Sequence, residues 1–308
     1  MEQDKSQIKK ILYQKVLSMR LRGGIAASAY RLLDDMGIRI AVSRFFNWKN
    51  ALLLVNNPSL AMKNAREYFQ THENDIKKVL DILSDDESKE TYTKMIKFRQ
   101  TMKYSTLPPN SYKSQYFGNK YYDYSDGEVF IDCGAFDGDT VREFKKHMKK
   151  KNVKKYKCIC FEPDEDNLRI LKLNHPDAIC HKMGVWNECG ELMFAGGGDS
   201  GSIVSSTEAE GFPADEITSI PVCSIDDTED CHDATFIKMD LEGSEQMALL
   251  GAKKTIIRNK PKLAICIYHS DEDMIKIPLL IHEMVPEYKL WVRQHSNGIP
   301  ETVLYATV

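Results

Sequence analysis

The chain has 308 residues, which is enough for one large domain or two ordinary ones, and we expect two. Its formal net charge of -3 provides no excess of positive charge that would attract nucleic acid. No segment approaches the roughly 18 consecutive apolar residues of a membrane span. Eight scattered cysteines, none at zinc-binding spacing, and an N-terminal segment interrupted by lysines and arginines are typical of a soluble, cytoplasmic protein.

The first part of the chain is predicted to be helical. Apolar residues recur at helical spacing from Gln7 to Arg99, with a break at the acidic segment 84–87. We expect residues 1–110 to form a helical accessory domain through which the protein can oligomerise. Residues 111–127 form an aromatic-rich connector whose rings are Tyr112, Tyr116, Phe117, Tyr121, Tyr122 and Tyr124. Two interpretations stay open: the rings stack on sugar faces of an acceptor, or they pack one domain against another.

From residue 128 to residue 308, short apolar runs alternate with helical stretches, which predicts a parallel sheet covered by crossover helices. The predicted strands are 128–133, 156–162, 178–183, 235–240, 262–269, 288–293 and 302–308. The predicted helices are 140–150, 164–174, 244–259 and 272–284. The loop 294–301 is too short for a helical crossover, so the last strand is expected to be antiparallel. This α/β arrangement, a seven-stranded sheet with helices on both faces, resembles the class I methyltransferase variant of the Rossmann fold.

A long polar insert separates the third and fourth predicted strands. It contains the glycine-rich segment 196–202 and a further segment 217–226. Its composition is too polar for a core. Either a mobile loop that covers a bound ligand or a surface hairpin fits this pattern.

The turn after the first strand carries glycines and acids. Gly134 and Gly138 let a ligand lie against the backbone. A pyrophosphate there would meet the carboxylates of Asp132, Asp137 and Asp139, at a cost of about 1 kcal/mol or more per pair. S-adenosylmethionine presents an ammonium and a sulfonium instead, so the acids favour it as the cofactor. The alternative, that these acids are ordinary turn and N-cap residues, remains open.

A further acid, Glu162, ends the second strand 24 residues beyond Gly138. An acid at this position of nucleotide-binding Rossmann folds accepts hydrogen bonds from both ribose hydroxyls, in dinucleotide-binding domains as well. Glu162 therefore predicts an adenosine ribose without distinguishing S-adenosylmethionine from NAD. The predicted cofactor contacts are Asp132, Cys133, Gly134, Ala135, Asp137, Gly138, Asp139, Thr140, Glu162 and Pro163.

Three segments resemble the FkbM-type methyltransferases. They are FIDCGAFDGDT at 130–140, FEPD at 161–164 with Asn167, and IKMDLEGSE at 237–245. The resemblance spans roughly residues 115–308 and leaves the helical N-terminal part outside. It implies transfer of a methyl group from S-adenosylmethionine to a hydroxyl, often on a sugar or natural product, with Asp132, Gly134 and Glu162 in the cofactor site.

The acceptor side is predicted beyond the ends of the fourth and fifth strands, which carry Lys238, Asp240, Glu242 and His269. Methyl transfer needs an acceptor oxygen at about 3 to 3.5 Å that loses a proton as the bond forms. Asp240 and His269 are the candidate bases, while Glu242 and Lys238 are candidates to orient the acceptor. We expect Lys238 to pair with Asp240. Alternatively, His269 bonds a backbone carbonyl.

No metal is included in this prediction, although Asp240, Glu242 and His269 also suit a divalent cation. Two other functions stay open. Asp137 and Asp139 spell the Asp-x-Asp pattern with which a nucleotide-sugar glycosyltransferase holds a divalent cation. A non-catalytic S-adenosylmethionine-binding scaffold would need neither Asp240 nor His269. The small-molecule or carbohydrate acceptor is not identified by the sequence.

Overall fold

The computed structural model describes residues 58–111, 115–195, 202–204, 217–296 and 298–308, so the predictions for residues 1–57, for Tyr112 and for the glycine-rich tip of the insert lie outside the described residues. The chain divides into two compact units. The first comprises residues 1–115 with Trp291–Val303, and the second comprises Tyr116–Leu290 with Leu304–Val308. Within the described ranges, every helix is too short or too polar to cross a membrane.

The first unit contains three described helices, followed by a short 3-10 helix at Tyr104–Thr106. They are α1 (Pro58–Thr71), α2 (Glu73–Ile82) and α3 (Asp86–Thr101). The break predicted at 84–87 is present, since Asp85 caps α3 by accepting a 2.8 Å hydrogen bond from the backbone N–H of Ser88. The buried guanidinium of Arg293 lies 2.7 Å from an Asp85 oxygen and 2.8 Å from a Glu87 oxygen, and it fixes this turn.

The described residues contain eleven short strands, which form two sheets. They are β1 (Glu128–Cys133), β2 (Tyr156–Phe161), β3 (Ile179–His181), β4 (Gly184–Val185), β5 (Gly190–Ala195), β6 (Ser202–Val204), β7 (Ile217–Cys223), β8 (Phe236–Met239), β9 (Lys262–Cys266), β10 (Lys289–Gln294) and β11 (Thr302–Thr307). The larger sheet has the order β10-β11-β9-β8-β1-β2-β3. Its central strand β1 is parallel to β2 and β8 and is buried throughout, as expected for a strand covered on both faces.

The predicted fold class is confirmed. All seven predicted strands belong to this sheet, and the last strands are antiparallel. Helices of the second unit lie between its strands in the chain. They are α4 (Asp139–Lys150), α5 (Glu165–Asn174), α6 (Glu245–Leu250), α7 (Lys253–Asn259) and α8 (Asp273–Met284), with a 3-10 helix at Glu229–Cys231.

The single helix predicted at 244–259 was wrong, because the structure divides it into α6 and α7 at Gly251. A Cβ on Gly251 would lie 2.0 Å from the carbonyl oxygen of Trp186, so the backbone of another segment packs directly against this position. Asp226 then caps α7 by accepting hydrogen bonds from the N–H groups of Lys254 and Thr255 at 2.9 and 2.8 Å. Neither contact is visible in the local sequence pattern.

The described residues of the insert form a second sheet, which the sequence analysis did not predict. Its order is β4-β7-β5-β6, and β5 is antiparallel to both β6 and β7. Phe194, Ile220 and Val222 form a small buried cluster on this sheet, against which Trp186, Leu192 and Ile203 pack. The prediction of an insert too polar for a core was therefore wrong for its strands, because a few apolar residues at alternate positions are enough to cover one face.

The described aromatic residues of the connector pack mainly inside the second unit. The Phe117 ring lies 5.4 Å from the Phe130 ring and 5.5 Å from the rings of Phe144 and Phe236. Tyr122 donates a hydrogen bond to the carbonyl of Leu263. These rings fill the space on one face of the sheet, so the stacking of a sugar on Phe117 or Tyr122 is not supported.

The close packing at Gly251 predicts a large effect of a small substitution. We expect Gly251→Ala to lower the free energy of unfolding by about 2 kcal/mol or more, because the new methyl group overlaps the Trp186 carbonyl. Gly190→Ala is the matched control, since a Cβ there meets no described atom within 4 Å, and its effect should stay within about 0.5 kcal/mol. Urea unfolding of both variants measures the difference. Equal free energies of unfolding for the two variants would show that the Trp186 segment can move aside without loss of stability.

Candidate active site

The loop after β1 takes its shape from two glycines in the left-handed region, Gly134 with φ 78° and Gly138 with φ 85°. A Cβ on Gly134 would lie 2.0 Å from the carbonyl oxygen of Asp240, so the loop packs against the end of β8 only because residue 134 has no side chain. A Cβ on Gly138 would lie 2.5 Å from the His175 ring, whose Nε2 is 2.8 Å from the Gly138 carbonyl oxygen. Both glycines are therefore required by packing.

A buried ion pair lies beneath this loop. Asp132 and Lys238 are partners in the register of β1 and β8, and Lys238 Nζ lies 3.0 Å from Asp132 Oδ1. The ammonium also donates to the carbonyl of Gly134 at 2.9 Å. Burial raises the pKa of Asp132 to about 6, against the opposing effect of Lys238. The charge that we expected Asp132 to present to a ligand is thus neutralised within the sheet.

The predicted pairing of Lys238 with Asp240 was wrong. The strand β8 ends at Met239, so the alternation of side chains that would place residues 238 and 240 on one face does not extend to Asp240. The neighbouring strand supplies Asp132 instead. Asp240 is a further negative charge that, after Asp132, raises the pKa of Lys238. Because its ammonium is buried and bound to the loop, Lys238 is placed to hold the loop rather than to orient an acceptor.

Glu162 joins the loops that follow β1 and β2. Its Oε2 accepts a 2.8 Å hydrogen bond from the N–H of Phe136, and its Oε1 accepts a 2.9 Å hydrogen bond from the N–H of Asp164. Burial raises the pKa of this carboxyl. The Asn167 side chain also hydrogen-bonds the carboxylate, and because the two oxygens can together accept about four hydrogen bonds, capacity remains for a ribose hydroxyl. The side chain of Pro163 is half-buried next to it, and the Phe136 ring is exposed.

The remaining predicted cofactor residues differ in what they can offer. Asp137 accepts a 3.0 Å hydrogen bond from the N–H of Asp139, and Asp139 accepts one of 2.6 Å from the N–H of Thr140. Both acids therefore act as turn and N-cap residues, which is the alternative interpretation of the sequence. Asp139 is nevertheless exposed. Cys133 and Ala135 are fully buried, so their side chains are not accessible to a ligand.

Beyond β8 and β9, three carboxylates surround His269. Its Nδ1 lies 3.0 Å from Glu245 Oε1, and its Nε2 lies 3.5 Å from Asp240 Oδ1 and 3.7 Å from Glu242 Oε2. Burial lowers the pKa of the imidazole, but the carboxylates, Glu245 first, outweigh it and raise the pKa to about 10. His269 is therefore an imidazolium at neutral pH, and the predicted role of a neutral base is not supported.

Asp240 is held in its ionised form. Its Oδ1 accepts a 2.9 Å hydrogen bond from the Tyr268 hydroxyl, and its Oδ2 accepts one of 3.4 Å from the Tyr116 hydroxyl. Burial favours the neutral acid, but the positive charges of Lys238 and His269 outweigh burial and lower the pKa of Asp240. The carboxylate is 22% exposed, so it remains accessible to a ligand.

Glu245 is the main functional residue that the sequence analysis missed. It is fully buried, and its two oxygens accept hydrogen bonds from the N–H groups of Leu241 and Gly243 at 2.6 and 3.1 Å. It closes the turn in which Glu242 has φ 53° and Gly243 has φ 102°. We assigned Glu245 only to the start of a helix, although an acid in the first helical turn that follows a glycine turn is a typical acceptor for loop N–H groups. The roles of Tyr116 and Tyr268 beside Asp240 were missed as well.

Comparison with known proteins identifies the family. The family described as the Methyltransferase FkbM domain matches residues 132–295, which is more than half of the chain and includes Asp132, Glu162, Asp240 and His269. The chain belongs to the FkbM methyltransferase family. The family assignment confirms the predicted resemblance and S-adenosylmethionine as the cofactor.

The crystal structure of Methyltransferase FkbM from Methylobacillus flagellatus KT is similar to this FkbM chain, with 26% identity and a TM-score of 0.64 over 78% of this chain and 60% of that chain. The chain thus spans less than two thirds of that protein. Fibrillarin of Aeropyrum pernix with bound S-adenosyl-L-methionine is 10% identical, with a TM-score of 0.34 over 62% of this chain and 71% of that chain. This second likeness is too weak to support further argument. No curated protein matches the sequence significantly.

The buried pair in this FkbM chain yields a stability prediction. We expect Lys238→Met to lower the free energy of unfolding by about 3 to 5 kcal/mol, because it leaves the Asp132 carboxylate buried without its cation. The double variant Asp132→Asn with Lys238→Met should recover at least about 1 kcal/mol of that loss. Lys146→Met is the control at the solvent-exposed pair with Glu143, and it should cost less than about 1 kcal/mol. Urea unfolding measures all the variants. A double variant that is no more stable than Lys238→Met would contradict this account.

Proposed function

We propose that the protein transfers the methyl group of S-adenosylmethionine to a hydroxyl oxygen of a small-molecule or carbohydrate acceptor. The observation that supports this best is the contact of Gly134 with the Asp240 carbonyl, which brings an ionised and accessible carboxylate next to the loop after β1. The part of the chain that matches the family begins at Asp132 in β1, and ligands of parallel sheets bind at the carboxyl ends of the strands.

The residues at these strand ends fit the cofactor. The Glu162 carboxylate keeps hydrogen-bonding capacity for a ribose hydroxyl beyond the bonds from Phe136, Asp164 and Asn167. The acids Asp137 and Asp139 disfavour a pyrophosphate while tolerating a cationic ligand. We propose the cofactor contacts predicted at 132–135, 137–140 and 162–163, with the fully buried Asp132, Cys133 and Ala135 restricted to their backbone atoms. When bound, S-adenosylmethionine supplies an electrophilic methyl group.

Asp240 is the residue that we propose to receive the acceptor proton. Hydrogen bonds from Tyr268 and Tyr116 orient its carboxylate, and its exposed part can accept a hydrogen bond from the acceptor hydroxyl. His269 contributes as a cation that keeps Asp240 ionised. We propose that Glu242, whose Oε2 lies 3.7 Å from His269 Nε2, orients the acceptor. Most of the catalytic effect would then come from alignment, because a carboxylate of low pKa is a weak base.

The alternatives gain no support from the family. A glycosyltransferase would use Asp137 and Asp139 to hold a cation, but one oxygen of each already accepts a backbone N–H in the turn before α4. A non-catalytic scaffold would not need the ionised Asp240. We retain as proposals the helical domain 1–110, the connector 111–127, the methyltransferase domain 128–308, oligomerisation through the helical domain, the absence of a nucleic-acid partner and a cytoplasmic location.

Cofactor binding is tested at Glu162. We expect Glu162→Gln to weaken the binding of S-adenosylmethionine and S-adenosylhomocysteine by at least about tenfold, since an amide replaces one of the two acceptor oxygens. Glu165→Gln is the control, because Glu165 is an exposed residue of α5 paired with Lys182. Isothermal titration calorimetry measures both variants, with NAD as a ligand that should not bind. Equal affinities of Glu162→Gln and wild type would remove Glu162 from the site.

Methyl transfer is tested at Asp240. We expect Asp240→Asn to bind S-adenosylmethionine within about threefold of wild type but to transfer methyl groups at least about 100-fold more slowly, because the amide cannot accept the proton. The readout is transfer of labelled methyl groups to a panel of saccharides and small alcohols. Asp233→Asn, an exposed residue before β8, is the control. Full turnover by Asp240→Asn would exclude Asp240 as the proton acceptor, and transfer by neither wild type nor control would favour the scaffold.

A further inference from the structure

Three side chains at the ends of β8 and β9 converge on one point. One oxygen of Asp240, one oxygen of Glu245 and one ring nitrogen of His269 all lie within 4.8 Å of one another. Ligand atoms that share a small cation at bond lengths of about 2.1 Å are about 3.0 to 3.4 Å apart. His269 Nδ1 lies 3.0 Å from Glu245 Oε1, and the other ring nitrogen, Nε2, lies 3.5 Å from Asp240 Oδ1. One ion binds only one of these two nitrogens, so the three side chains would have to move closer together to share it.

His269 itself indicates that a ligand belongs there. Its side chain is only 5% exposed, yet neither ring nitrogen makes a well-aligned hydrogen bond with any described residue, despite the carboxylates within 4 Å. Buried polar nitrogens are normally hydrogen-bonded, and the exceptions require an explanation. A nitrogen near carboxylate oxygens, but not directed at them for hydrogen bonding, has the arrangement of ligands around an ion that they share.

The charges of the cluster lead to the same conclusion. Asp240, Glu242 and Glu245 bring three carboxylates to one imidazole, which neutralises one of them when it is protonated. The nearby cation Lys238 is bound to Asp132. Burying negative charge without compensation is costly, so the cluster is incomplete electrostatically. A divalent cation supplies the missing positive charge.

We propose that Asp240, Glu245 and His269 bind a divalent transition-metal cation, with Mn²⁺ as the representative ion, and that the ion displaces to solvent the proton that the imidazole carries in the metal-free protein. Mg²⁺ and Ca²⁺ prefer oxygen ligands alone, whereas one imidazole with two carboxylates suits Mn²⁺, Fe²⁺ or Zn²⁺ better. Glu245 also holds the N–H groups of Leu241 and Gly243, so the turn after β8 positions this ligand. Three protein ligands leave coordination positions open, as in catalytic metal sites.

The open positions suggest a role for the ion. A bound cation lowers the pKa of a coordinated hydroxyl, as it does for water, and would allow a weak base to receive the acceptor proton. This role rests on the proposed methyl transfer, whereas the binding of the ion does not. The two proposals therefore fail independently: wild type can bind Mn²⁺ without transferring methyl groups, or transfer them without Mn²⁺.

The test is a titration of the full chain with Mn²⁺ in the absence of S-adenosylmethionine, after chelator treatment and removal of the chelator, with free Mn²⁺ measured by electron paramagnetic resonance. We expect one ion per chain with an affinity in the micromolar range. Mg²⁺ at tenfold excess should not displace it. His269→Gln and Asp240→Asn should each weaken binding at least about tenfold. Glu245→Gln serves as a third variant whose fold is checked by near-ultraviolet circular dichroism.

The control is Asp271→Asn, which removes a carboxylate from the same loop as His269 without changing a proposed ligand. It should bind Mn²⁺ as wild type does. If Asp271→Asn and Asp240→Asn lost Mn²⁺ affinity equally, the binding would reflect general electrostatic attraction, and the proposed site would be overturned. Absence of bound Mn²⁺ in the folded wild-type chain, or unchanged affinity in both His269→Gln and Asp240→Asn, would overturn it as well.

Discussion

The buried pair of Asp132 and Lys238 is the interaction on which the rest of the site depends. Taking two charges out of water is costly, and the cost is offset only where the charges meet directly and the remaining donors find acceptors. Both conditions hold at the centre of the sheet, because β1 and β8 are adjacent in register and the ammonium also reaches the Gly134 carbonyl. The pair therefore holds together the ends of β1 and β8 and the loop after β1, on the side of the sheet where ligands of parallel sheets bind.

A line of alternating charges extends from this pair. Lys238 and His269 both lower the pKa of Asp240, while Glu245 and its neighbouring carboxylates raise the pKa of His269. Each group is thus kept charged by the next, although burial alone would neutralise it. The turn at Glu242 and Gly243 is part of the same line, since Glu245 holds its N–H groups. Backbone geometry and electrostatics are consequently coupled at the end of β8.

The sequence predicted what local patterns determine and missed what depends on distant partners. Apolar runs located the strands, and the short loop before β11 predicted the antiparallel ending. The partner of Lys238 could not be predicted, because it depends on the register of a neighbouring strand. The protonation of His269 depends on Glu245, which is distant in sequence. The break at Gly251 depends on the Trp186 carbonyl, which reaches the helix from the insert.

The arrangement around Asp240 also constrains the chemistry that it can support. If Asp240 took up a proton, the positive charges of Lys238 and His269 would lose their neighbour, so the protonated form is disfavoured by the same contacts that lower the pKa. Asp240 can therefore hold a proton only briefly and must pass it on to solvent, to which it is partly exposed. Such a carboxylate orients a hydroxyl more effectively than it deprotonates one. Reaction at this site would consequently depend on precise alignment and on any additional cation that makes the hydroxyl more acidic.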